Sequence, residues 1–216
     1  LAAVLIRKPK HWVEAARKIR FKEALSIVFN PNYIKIWVMF YINITCGLAL
    51  IAFEKPIGLH VGFTSIALLS SLTAVFNTAG RFGYATGSDF LNRKKLIYVI
   101  IFLTSLLLCF ASSLSMMSFI IIAALMVINA GYGGGFSTLP IILKETFGMN
   151  QISMIHGFAL SAWAWAGLSG NQLSSYLINV KGYGYETLFM VLGVLYAAAF
   201  VISLMVTQSR QPDAKA

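Results

Sequence analysis

Residues 63–95 read FTSIALLSSLTAVFNTAGRFGYATGSDFLNRKK. The part from Phe63 to Gly87 is one apolar run of the length a membrane helix needs, yet Arg81 lies inside it, nearly two helical turns before the polar loop. A charge at the bilayer centre costs at least about 3 kcal/mol. An arginine at such depth is retained where it faces a polar cavity or a partner, or where it snorkels to the interface. Its planar guanidinium can donate two parallel hydrogen bonds to a carboxylate, which makes Arg81 a candidate anion site. Asn77, Gly80, Gly83, Tyr84 and Gly87 surround it in the sequence. Gly80, Gly83 and Gly87 fall on adjoining helix faces, the pattern of close helix packing.

Five more apolar runs accompany this one, and together they are expected near 33–53, 63–87, 96–114, 117–143, 152–179 and 187–207. Each approaches the ~20 residues that cross a ~30 Å hydrocarbon core. None shows the strand-like alternation of a transmembrane barrel. The composition agrees: 58% of residues are hydrophobic, 11% are charged and mean hydropathy is +0.78. A water-soluble domain is nearer half apolar and a quarter charged. The expected fold is therefore an all-α integral membrane bundle of six transmembrane helices over 33–207.

The net charge of +10 would point to nucleic acid in a soluble protein. Here the basic residues fall between apolar runs and at the ends, as topology signals and contacts for membrane lipid, with no nucleic acid partner expected. Regions 7–32, 88–95, 144–151 and 208–216 hold 13 Lys and Arg, against 2 in 54–62, 115–116 and 180–186. That asymmetry predicts a multi-pass membrane protein with both termini cytoplasmic. Residues 1–6 read as the tail of a preceding transmembrane helix. Residues 7–32 read as a basic cytoplasmic linker, in which Trp12, Ile19 and Leu25 could support a surface-lying amphipathic helix. Residues 208–216 read as a cytoplasmic tail. The apolar stretch precedes the basic one, the reverse of a signal peptide.

Other candidates follow from the later runs. Gly131-Tyr132-Gly133-Gly134-Gly135-Phe136 would weaken a soluble helix but permits close backbone approach in a bundle, and Pro140 could kink it. Tyr132 and Phe136 are one turn apart and share a face. Trp163 is far from either end of its run, so it is expected to line a cavity. Cys46 and Cys109 lie inside apolar runs as packed thiols. Glu54 and Lys55 are expected as an exposed pair at the outer end of the first run. Glu54 is also the only acidic residue near a cavity face of that run, so proton coupling within this chain would fall to it.

The loop Gly87-Ser88-Asp89-Phe90-Leu91-Asn92-Arg93-Lys94-Lys95 resembles the loop signature of the major facilitator superfamily, in which an Asp closes one helix and basic residues follow. Ala85, Phe90 and Asn92 depart from that pattern, although Asn tolerates the left-handed turn. Asp89, Arg93 and Lys94 would pair among themselves and with the end of a neighbouring helix. Asn43 to Ile51, Gly80-Arg81 with Ser88-Asp89, Tyr132-Gly-Gly-Gly-Phe136-Ser-Thr, and His156-Gly with Ser161-Ala-Trp163 are together similar to the oxalate/formate antiporter family of that superfamily. The resemblance covers the chain from about residue 33 onward. It implies the C-terminal half of a twelve-helix fold whose partner is an N-terminal six-helix half. It implies carriage of small carboxylates by alternating access, as antiport or proton symport. It also implies that Arg81 binds the carboxylate, with Tyr132, Phe136 and Trp163 as aromatic walls. The family's oxalate transporters add a lysine one turn past that tryptophan, whereas this chain has Ala164-Trp165-Ala166-Gly167. A single basic residue suits a monocarboxylate such as lactate, pyruvate or formate better than dianionic oxalate. No catalytic chemistry, metal or organic cofactor is expected.

Two rival classes arise. Gly167-Leu168-Ser169-Gly170 matches the pattern of rhomboid-type intramembrane serine proteases, but 187–207 contains no His to serve as the base. An oligomeric anion channel could also use one buried arginine per chain.

Overall fold

The computed structural model describes residues 21–149 and 152–207. The readings made on 1–20 and on 208–216, including Trp12 and Ile19, lie outside the described residues. A short helix, α1 (Phe21–Val28), precedes α2 (Pro31–His60), α3 (Ile66–Asp89), α4 (Lys95–Ser115), α5 (Ser118–Phe147), α6 (Ile152–Ala159), α7 (Ser161–Ser175) and α8 (Tyr185–Met205). Leu160 is itself right-handed helical, and a π-helical turn, Tyr176–Val180, continues α7. Residues 152–180 therefore make one rod, and with α2, α3, α4, α5 and α8 they complete six long rods among the described residues.

Local chemistry sets the ends. Asn30 caps α2 by accepting from the Asn32 backbone N–H at 2.9 Å, and Pro31 occupies the first turn, where no donor is lost. Only Met116 and Met117 separate α4 from α5, so these two run antiparallel. Helices α2 and α5 outrun their apolar stretches: each has 30 residues, or about 45 Å. Hydropathy falls at Glu54 and Lys144, but the backbone hydrogen bonding that keeps a helix going does not.

Four helices are long and apolar enough to cross a membrane: α2, α4, α5 and α8. The other two rods, α3 and 152–180, carry Ser, Thr, Asn and Gln along their length. Among the described residues the chain is thus all-helical, with four helices able to span a membrane.

Most of α3 packs on α5, α4 on α8, and α7 on α2, while α4–α5, α2–α5 and α2–α8 contacts tie these pairs together. Exchanging the first three rods with the last three turns α3–α5 into α7–α2 and α4–α5 into α8–α2, and leaves α2–α5 and α4–α8 unchanged. The two triplets of rods therefore share one pattern of neighbours. They are also inverted. Helix α2 starts beside the end of α8, where Asn32 Nδ2 donates to Thr207 O at 3.1 Å. Helix α5 starts at the opposite end, where Ser118 Oγ donates to Val61 O at 2.8 Å. Three rods per repeat, an odd number, force this inversion.

The core between the rods holds Tyr33, Phe40, Tyr98, Phe102, Phe189 and Tyr196, all buried. Buried hydroxyls need partners. Tyr33 and Tyr98 donate to Ile155 O and Gly135 O, each at 2.8 Å. Cys46 and Cys109 are buried free thiols. Helix α1 is the described part of the segment expected to form a surface-lying amphipathic helix. It docks on α6, with Ala24 buried and Ile27 and Val28 packed on the core, and Leu25 is left exposed.

One end of the bundle collects Lys35, Arg93, Lys94, Lys95 and Lys144, while Lys55 and Lys181 belong to the other. Lys35 Nζ donates to Met205 O at 3.1 Å, and Lys95 Nζ donates to Val206 O at 2.6 Å, so this end is stitched by lysines on the terminal carbonyls of α8. At the opposite end His60 meets the Tyr185 ring edge-on at 5.1 Å. The described residues of 21–32, 88–95 and 144–149, which the charge pattern assigned to one side of a membrane, thus share one end of the bundle.

Candidate functional site

The four residues singled out around an anion site converge on one ring, Phe136 of α5. Arg81 of α3 holds its Cζ 5.5 Å from the Phe136 centroid. Tyr132, one turn earlier on α5, meets Phe136 at 5.3 Å. Trp163 of α7 meets it edge-on at 5.5 Å, and Phe40 of α2 does so at 5.1 Å. Four helices thus deliver one aromatic cluster with a guanidinium at its rim. Edge-to-face rings and a cation over a ring face are the favoured arrangements of these groups.

Arg81 Nε donates to Asn77 Oδ1 at 3.3 Å, one turn earlier on α3. Among the described residues no Asp or Glu forms an ion pair with the guanidinium, which keeps most of its donors for another acceptor. Arg81 is exposed within the chain, Trp163 is half exposed and Tyr132 is buried.

Arg81 stands in a cleft of about 790 Å³ between α2, α3 and α5. Ser70, Thr73, Ala74, Asn77, Thr78 and Arg81 line it from α3. These positions recur every three or four residues, so they form one polar stripe along one helix face. Glu54 and Lys55 of α2 and Asn129 of α5 also line it. Much of what makes α3 less apolar than its neighbours thus faces the cleft.

Glu54 departs from the exposed pair expected with Lys55. It is buried at 7% relative exposure, and Thr73 Oγ donates to its Oε2 at 2.9 Å. Lys55 remains exposed. The two are adjacent on a helix, so their side chains point about 100° apart, and α3 covers only one of them.

Glycine makes the cleft possible by letting α3 and α5 touch backbone to backbone. A Cβ at Gly80 would collide with Ala130 O, and one at Gly133 with Asn77 O. Gly134 receives the Tyr84 ring, and Gly135 the Asn43 amide. Gly83 and Gly87 differ: a Cβ at either meets nothing within 4 Å, so the close packing expected there is not made within this chain. The symmetry-related α7–α2 crossing uses the same device, with Gly170 against Thr45 O, 2.6 Å from an added Cβ.

The loop after α3 is held by one of its lysines. Lys94 Nζ donates to Ser88 O at 2.6 Å and Leu91 O at 3.1 Å, satisfying the carbonyl end of α3. The Lys94 backbone N–H donates to Glu145 Oε2 at 3.1 Å, which fastens the loop to α5. Asp89 lines the small cavity that Lys94, Lys144 and Glu145 share, and Arg93 is exposed.

Ser169 of the Gly-x-Ser-Gly stretch accepts from Tyr41 OH at 2.9 Å and donates to Trp165 O at 3.0 Å, within a hydroxyl cluster that includes Thr45. Asn43, in a glycosylation-like triplet, is buried and donates to Gly131 O at 3.0 Å.

Phe40, Thr73 and Asn129 belong to the site and were not singled out from the sequence. Asn77 could have been assigned, because it precedes Arg81 by four residues. The pairing of Thr73 with Glu54 crosses between two helices and leaves no local signal. Comparison with models of protein families and with curated proteins finds no match for this sequence.

Proposed function

We propose that this chain is the C-terminal half of a twelve-helix major facilitator, and that it carries small organic anions across the cell membrane by alternating access. The observation that carries this reading is Arg81. It lines a polar cleft, is anchored by an amide and an aromatic face, and has no acidic partner among the described residues. A carboxylate completes such a guanidinium with two parallel hydrogen bonds. Phe136, Tyr132 and Trp163 wall the adjoining space with rings that lower the local dielectric and strengthen that contact.

The inverted three-plus-three arrangement supports the reading, because in such carriers the repeats cross at the binding site near the bilayer midplane. In this orientation the lysine-rich end faces the cytoplasm. The six rods are then six crossings, and α3 and 152–180 tolerate their polar residues by facing a cavity completed by the N-terminal half. The cleft offers Arg81 and Lys55 against one carboxyl, Glu54. The helix of Trp163 adds no lysine one turn past that tryptophan, where Ala166 and Gly167 stand, which fits a monocarboxylate such as lactate, pyruvate or formate better than oxalate.

The test is counterflow. The full-length protein is placed in liposomes loaded with unlabelled lactate, pyruvate, formate or oxalate, and entry of the same labelled anion is followed. Saturable, exchange-stimulated entry of a monocarboxylate is expected. Single-channel conductance, or entry that does not respond to internal anion, would replace the carrier by a pore.

A further inference from the structure

We propose that a second cavity, lying between α2, the rod 152–180 and α8, binds an uncharged apolar molecule that carries a hydroxyl and dissolves in the bilayer. The cavity measures about 520 Å³ and shares no lining residue with the Arg81 cleft. Ile42, Leu173 and Leu195 give it apolar walls. Its polar groups are gathered on α2 and α7, as Tyr41, Thr45, Ser169 and Gln172. A few polar groups in a mostly apolar pocket of this size make a small-molecule site.

The hydroxyl hydrogens decide what that site can take. Each hydroxyl has one hydrogen to donate and two lone pairs with which to accept. Ser169 Oγ donates to Trp165 O at 3.0 Å. Tyr41 Oη donates to Ser169 Oγ at 2.9 Å. In the 3.3 Å contact between Thr45 and Ser169, Thr45 is then the donor, because the serine hydrogen is already engaged. All three hydrogens thus stay within the cluster and its own backbone. Tyr41 and Thr45 keep only lone pairs for a visitor, and Thr45 keeps them in a side chain whose relative exposure is 5%. The cluster therefore asks for a donor. Gln172, at the exposed edge of the cavity, adds an amide that can donate as well as accept.

A ligand hydroxyl answers both demands. Its O–H donates to the Thr45 or Tyr41 oxygen, and its own oxygen accepts from the Gln172 amide. A carboxylate has no hydrogen for those oxygens and finds no counter-charge. Among the described residues no charged side chain lines the cavity, and α7 carries none. Lys35 and Lys55 each stand ten residues from Thr45 on α2, about 15 Å along the axis. A plain hydrocarbon would match the walls but leave the buried lone pairs without a donor. Thr45 is at the middle of α2, a helix long and apolar enough to cross a membrane. At that depth a dissolved hydroxyl has no hydrogen-bond partner in the lipid, so the cluster stabilises it.

The test uses the full-length protein in lipid nanodiscs and an octanol that carries a diazirine. After photolysis, mass spectrometry locates the labelled residues. We expect saturable labelling of segments 41–45 and 169–176. Unlabelled octanol should displace the probe at least about threefold better than octane does, and octanoate should not displace it. Thr45→Val keeps the shape of the side chain and deletes the acceptor, and combined with Tyr41→Phe it should lower labelling by about tenfold. Thr45→Ser keeps the oxygen and should label as wild type does, which separates loss of the acceptor from damage to the fold. Labelling that rises linearly with the probe, as simple partition gives, overturns the proposal. So do labels confined to other segments, displacement by octane or octanoate equal to that by octanol, and wild-type labelling of the double variant. Absence of labelling also overturns it, and is the result if another part of the protein covers the cavity. Labelling requires no transport, so its outcome is independent of the carrier reading.

Discussion

The Arg81 guanidinium of α3 sits 5.5 Å from the centre of the Phe136 ring of α5. The two helices meet there because Gly80 and Gly133 remove the side chains that would keep their backbones apart. The ring offers the cation its electron-rich face but no hydrogen bond. Asn77 takes one donor of the guanidinium, so the charge is held in place without being neutralised. That arrangement suits an anion that must bind and leave.

If Arg81 meets the anion, Arg81→Gln removes two charge-assisted hydrogen bonds, each of about 1.5–3 kcal/mol. Transport efficiency should fall at least about a hundredfold. Arg81→Lys keeps the charge and loses the planar fork, and about a tenfold loss is expected. Thermal unfolding in detergent should show Arg81→Gln within about 0.5 kcal/mol of wild type, because the side chain is exposed and in no ion pair among the described residues. Wild-type uptake by both variants would remove the anion site from Arg81.

Phe136→Leu keeps an apolar side chain of similar bulk and discards the ring face. A cation–π contact contributes about 0.5–2 kcal/mol. The apparent KM for the transported anion should rise by about three- to thirtyfold, with little change in melting temperature. A KM equal to wild type would mean that the ring only fills space.

The α3–α5 crossing should be intolerant of any side chain. Gly80→Val and Gly133→Val each force the backbones apart and should cost at least about 2 kcal/mol, read as a lower melting temperature. Gly83→Ala should be neutral, since its Cβ meets nothing within 4 Å. Equal effects at Gly80 and Gly83 would contradict the packing described.

Membrane sidedness is open to cysteine labelling. Cys46 and Cys109 are buried and can be replaced by Ala to give a silent background. Arg93→Cys should then react only with reagent supplied from the cytoplasmic side, and Lys181→Cys only from the opposite side. Labelling of both from one side would refute the orientation.

Hydropathy alone made the helices legible, because a run of apolar residues about 20 long has few other folds available to it. Arg81 was legible because a charge amid apolar residues is an exception that must be compensated. Tyr132 and Phe136 could be placed on one face by their spacing of four. Helix ends were less legible: α2 continues through Glu54 to His60 on backbone hydrogen bonds that hydropathy does not report.

By itself, then, the sequence determined an all-helical chain, its membrane-length segments, the lysine-rich loops and the unusual arginine, since each of these depends on residues near one another along the chain. Only the tertiary structure decided that Phe40, Tyr132, Phe136, Trp163 and Arg81 meet, that Glu54 is covered and bonded to Thr73, and that the rods form two inverted triplets. Those relationships join helices far apart in sequence, and they depend on which face each rod turns inward and on where a missing side chain lets backbones touch. No local pattern carries that information, because packing is settled between surfaces and not along a chain.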